Sequence, residues 1–174
     1  MVRCYVGSAI SRRVTRSREG DSAMTEPRSG AHVRILFELE QDEDGYPPAS
    51  AETLWAIKVG ESLFKIDNVP FFVLGIAVED VVSAVPEEGV FRFKEVVQSS
   101  GHSTLRVVVY DPADVPAVHA LFKEMGCSTE QSHLPRLIAI DVPPSVPLDE
   151  LKRVLESGSE QERWGYEEAC LAEP

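Results

Sequence analysis

From Val33 onward the apolar residues fall on every second position. Val33, Ile35, Phe37 and Leu39 share one face, and Arg34, Glu38 and Glu40 lie largely on the other. A period of two predicts a half-buried strand. The acidic turn "QDEDGYPP" follows, then "ETLWAIKV" and "SLFKID" separated by "GE", the pattern of a tight hairpin. The run "VPFFVLGIAVEDVVSAVPEEGVFRFKEVVQ" continues as short apolar strands broken by Gly75, Pro86 and Gly89. Turn signals at about ten-residue spacing predict a small, strongly bent antiparallel sheet or barrel over residues 32–100.

The period changes in the second half. "TLRVVVYD" reads as a strand, and Asp114 as the cap of a helix that carries Val115, Val118, Leu121, Phe122 and Met125 on one stripe, ending at Gly126. Two strands follow, "CSTEQSH" and "RLIAIDV". Ser145 or a neighbour then opens a helix with Leu148, Leu151, Val154 and Leu155 on one face, ended near Gly158, and "WGYEEACL" is a last strand. The order β-α-β-β-α-β predicts a ferredoxin-like unit over residues 101–174 with "LRVVVY" and "RLIAI" as its central strands. The predicted fold class is α+β: a β-barrel-like unit followed by a ferredoxin-like one.

Residues 1–31 show no sustained apolar period and are expected to be a disordered extension, with translation starting at Met1 or at Met24. This segment changes the charge picture. It holds six arginines against three acids, which leaves eleven bases against twenty-six acids in the rest of the chain. The folded part should therefore repel nucleic acid and suit a protein partner, in particular a basic one. No apolar stretch approaches the roughly 20 residues needed to cross a bilayer. Cys4, Cys127 and Cys170 are scattered, and so are the four histidines, so the sequence predicts no metal site, no cofactor and no disulfide framework. It fits a reducing cytoplasm and leaves the oligomeric state open.

Candidate chemistry gathers in "QSSGHSTLRVVVYD". On a strand, Leu105, Val107 and Val109 would pack under the helices, while His102, Thr104, Arg106, Val108 and Tyr110 face the other way. If the β unit docks on that face, a crevice results that is bordered by His102, Thr104 and Arg106. His102 could serve as a general base with Ser100 or Ser103 as nucleophile and Arg106 holding an anion. The plainer alternative has His102 and Thr104 bonded to backbone and Arg106 in an ion pair with an acid of the β unit. Asn68 fits a turn before "VPFF", with one of Phe71 and Phe72 in the core and the other on the groove. Trp55 is open to the same two readings. No acid can be assigned behind the histidine, and there is no G-x-S-x-G elbow or phosphate loop.

Together the segments "DGYPPASAETLWA", "IDNVPFFVLGIAVEDVV" and "SSGHSTLRVVVYD" resemble a bacterial family known as domain of unknown function 4265, over residues 33 to about 171. The resemblance implies a bacterial, cytoplasmic protein and supplies no mechanism or catalytic residue. The function expected from the residues is that of a non-enzymatic binding or regulatory module, immunity-like in one form, using the groove or the acidic surface. The alternative is a small hydrolase or transferase built on His102 and Arg106.

Overall fold

The computed structural model describes residues 30–172. The expected disorder of the N-terminal extension lies outside these residues, except at Gly30 and Ala31. Those two instead pair with the neighbouring strand, Gly30 N–H donating to Lys58 O and Ala31 O accepting from Lys58 N–H.

The period-two stretch forms β1 (His32–Glu38), which buries Val33, Ile35 and Phe37 and exposes the residues between or leaves them half-buried. It pairs antiparallel with β2 (Ala51–Gly60), which turns through Glu61 and Ser62 into β3 (Leu63–Ile66). β4 (Val81–Glu87) and β5 (Val90–Gln98) form the next hairpin, with two irregularities in its register. Pro86 does not break this strand. It lies one residue from the end of β4 opposite Phe91, a place where a missing N–H is tolerated. β5 returns to β1 through a short parallel contact, Ile35 beside Phe91 and Leu36 beside Arg92, so the five-stranded sheet closes on itself. Its interior holds Ile35, Leu54, Ala56, Phe64, Ile66, Val82, Ala84 and Phe91.

The second sheet is antiparallel, with the order β7-β8-β6-β9, from β6 (Ser103–Val109), β7 (Ser128–Gln131), β8 (Leu137–Val142) and β9 (Trp164–Cys170). The two most apolar strands, β6 and β8, are central. Helices α1 (Val115–Glu124) and α2 (Leu148–Glu160) cover one face, where Leu105, Val107 and Val109 meet Val118, Phe122, Leu151, Leu155 and Trp164. The protein is thus α+β, with two sheets and two helices.

Asp114 stands at the N-cap of α1 as expected but makes no capping bond with its side chain; Asp111 accepts from Ala113 N–H and starts a 3₁₀ turn over Pro112–Asp114 that leads into α1. Helix α2 opens at Pro147 rather than Ser145, without a side-chain cap. It ends at Glu160, two residues past Gly158 and so near the expected place. Gly158 itself lies under the Trp164 indole, where a Cβ would come within 1.9 Å of ring atom Cζ2.

Candidate functional site

The chain between Asp67 and Asp80 is neither helix nor strand, although "VPFFVLGIAV" has the composition of one. Many of its main-chain groups are taken by side chains, and a few by neighbouring strands. Asn68 anchors the entry by accepting from Trp55 N–H at 2.7 Å. The carboxylate of Glu52 then accepts three successive amides, Phe71 on Oε1 at 2.7 Å, and Phe72 and Val73 on Oε2 at 2.8 Å each. Glu130 accepts from Val69 N–H at 3.2 Å, and Asp80 from Ala77 N–H at 2.8 Å.

The carbonyls are matched from the other sheet. Arg106 donates from Nε to Pro70 O and from Nη2 to Val73 O, Thr104 Oγ1 donates to Ile76 O at 3.0 Å, and Ser100 Oγ to Val78 O at 2.7 Å. Gly75 N–H reaches Ala169 O of β9 at 2.9 Å. Buried backbone must find partners somewhere, and here side chains of both sheets provide them. Residues 67–80 form a strap that joins the two sheets.

The strap fills the expected crevice. Thr104 and Arg106 do lie on the helix-free face of β6, but they are 0% and 3% exposed, under the strap. Arg106 pairs with Glu167 of β9 at 2.8 Å and not with an acid of the first sheet, because Glu167 is its register partner across the ladder. Phe72 is buried beside Tyr46, their rings 6.4 Å apart, and Phe71 is half-buried. Because the strap is not a strand, the two rings do not alternate across a sheet. Trp55 stays 44% exposed, with the Arg34 guanidinium 4.5 Å above its ring.

His102 is half-buried at the margin of the strap, its Nδ1 2.7 Å from Asp141 Oδ1 of β8. An acid therefore stands behind the histidine, the arrangement that fixes a tautomer and leaves Nε2 as the working nitrogen. None of the hydroxyls of Ser100, Ser103 and Thr104 is hydrogen-bonded to that ring. Ser100 Oγ is spent between Val78 O and His102 N–H, Ser103 Oγ accepts from Ala172 N–H, and Thr104 Oγ1 holds Ile76 O. Among the described residues no group of three or more His, Cys, Asp or Glu is placed to hold a metal. No helix among them is long and apolar enough to cross a membrane.

Acids collect below the strap. Burial, with Asp141 and Asp67 adding to it, raises the Glu130 carboxyl above the ordinary range despite the Val69 N–H that opposes the shift. A carboxyl raised on folding destabilises the native state once it ionises. The penalty is absent below the unfolded value, complete above the folded one, and grows as pH rises between them. Glu130→Gln keeps an acceptor for Val69 and removes the charge. We expect it to raise the melting temperature by roughly 1–3 °C at pH 7, with the gain vanishing near pH 4. Thermal denaturation at the two pH values checks this, and an equal gain at both would refute the electrostatic cause. Burial and Asp141 together push the Cys127 thiol up to about 11, so it packs as an inert small hydrophobe.

A concavity of about 410 Å³ lies beside the β1–β5 contact, lined by Leu36, Glu38, Glu87, Arg92, Phe93 and Lys94. Its cations are neutralised on the spot, Arg92 by Glu38 at 2.6 Å and Lys94 by Glu87 at 3.8 Å. It presents no uncompensated positive charge to an anion.

The family described as "Domain of unknown function (DUF4265)" matches residues 52–166, which include Glu52, the whole strap, His102, Arg106 and Asp141. The chain belongs to this family. A solved structure of a hypothetical protein from Neisseria gonorrhoeae superposes on this DUF4265 chain with a TM-score of 0.67, covering 86% of this chain and 100% of that one. At 22% identity the likeness shows a shared fold. No curated protein matches. Glu52, Glu130 and Asp141, which organise the site of this DUF4265 member, were not among the residues expected from sequence. Only Asp141 carries a signal, as a charge inside the apolar run "RLIAIDV".

Proposed function

We propose that the protein is a non-enzymatic binding module of bacterial, cytoplasmic origin that engages a basic protein partner through its acidic exterior. The observation that carries this reading is the commitment of the candidate chemistry to structure: Arg106, Thr104, Ser100 and Ser103 are all consumed in holding the strap and the strand ends. Glu40, Glu43 and Asp44 form no ion pair among the described residues and remain exposed at the β1–β2 turn. Charge of one sign left uncompensated on a surface steers association with the opposite sign. The strand order supports reading residues 32–100 as a barrel-like unit and residues 101–174 as a ferredoxin-like one. The strap, and not an open groove, lies between them.

The test is capture of partners on the immobilised full chain, washed at 0.05 and 0.5 M salt, beside a Glu40→Gln/Glu43→Gln/Asp44→Asn variant. Basic proteins released by salt and lost on the variant are the expected result. A specific partner retained equally at both salt concentrations would overturn electrostatic recognition. The His102–Asp141 pair favours a second reading, a small hydrolase or transferase that uses His102 as general base on an external nucleophile. Turnover of a chromogenic ester that disappears in His102→Ala, with the fold intact by circular dichroism, would support that reading.

A further inference from the structure

We propose that the amides of Phe71, Phe72 and Val73 form an oxyanion-binding site that Glu52 occupies in cis, and that a small carboxylate can take its place. Three consecutive main-chain N–H groups converge on one carboxylate at 2.7–2.8 Å, and both of its oxygens are engaged. Successive amides turned to one side make a concave patch of positive partial charge, a general way in which proteins hold anions.

The patch does not depend on Glu52 alone for its shape. From behind, Arg106 grips the carbonyls of Pro70 and Val73, which bracket the three amides, and brings a full positive charge to that side. Phe72 and Val73 are buried, and Gly75 is tied to β9, so the strap is fixed on both sides of the patch. The ligand class follows from the occupant. Glu52 presents a CH₂–COO⁻ group to the amides, and Glu52→Ala removes that fragment, whose size and charge are those of acetate. Chloride matches the charge but cannot span three donors with two oxygens. This goes beyond the acidic exterior, since it places a built anion site at the junction of an otherwise acidic molecule.

The experiment uses the full chain with Glu52→Ala, titrated with sodium acetate or with sodium chloride at equal ionic strength. The readouts are the amide proton shifts of residues 71–73 and the melting temperature. Acetate is expected to move the three resonances downfield, saturating with a Kd on the order of 1–50 mM, and to raise the melting temperature while chloride does not. In the unaltered protein, whose site is filled, acetate should do neither. Equal effects of the two salts, or equal acetate shifts in both proteins, would overturn the proposal. Should Glu52→Ala fail to fold, Glu52→Gln supplies a second reading, because it retains an acceptor but no charge. The three amide protons should then move upfield, and unchanged positions would likewise overturn the proposal.

Discussion

Gly158→Ala lowers the melting temperature by roughly 6–12 °C, the equivalent of about 3 kcal/mol in a chain of this size. Helix propensity alone argues for the opposite sign, since alanine in a helix interior is favoured over glycine by about 1 kcal/mol. Packing decides otherwise. The added Cβ would lie 1.9 Å from Cζ2 and 2.1 Å from Cε2 of Trp164, far inside contact distance. The indole has no room to yield: it is 1% exposed, packs near Phe122, and donates from Nε1 to Leu155 O at 3.1 Å. Either the helix moves off the sheet or that hydrogen bond breaks. Thermal or urea denaturation measures the loss, and a drop below about 1 °C would show that the ring swings aside freely.

Arg106→Met should cost a comparable amount, about 3 kcal/mol, by a different route. Methionine fills much of the volume but leaves the carbonyls of Pro70 and Val73 without their donor in a buried setting. Glu167, the other partner, is 41% exposed and can return to water, which holds the loss at the lower end for a broken buried pair. The damage should therefore centre on the strap. Amides of residues 69–77 are expected to exchange with solvent faster relative to the rest of the protein, and the urea midpoint should fall. A midpoint within about 0.5 kcal/mol of the unaltered protein would mean that the strap is held without Arg106.

The parts of the fold that follow from periodicity could be read in advance. Val33, Ile35 and Phe37 line the first core as the alternation requires, and Leu105, Val107 and Val109 lie under the helices. What escaped was set by contacts distant in sequence. The strap has the composition of a strand, and nothing local shows that Glu52, nineteen residues before Phe71, will take its amides. Gly158 has the look of a helix stop because glycines at helix C-termini are common, yet its reason is the aromatic ring of Trp164 arriving from the next strand. The same holds at the candidate site. Facing was correct for Thr104 and Arg106, but facing cannot tell an open groove from one already filled.

The polar contacts that hold the strap run mostly through its main chain, with Glu52 on amides and Arg106, Thr104 and Ser100 on carbonyls, while Val69, Val73, Ile76 and Ala77 are held by burial. Hydrogen bonds of that kind do not read the side chains at the strap's exposed positions. Leu74, 63% exposed at the crest, can drift among relatives without loosening the junction, whereas Glu52 and Arg106 have no such freedom. Diversification and constancy are thus assigned to different residues of one contact, and the crest of the strap is where descendants of this fold can acquire new surface chemistry without refashioning what lies beneath.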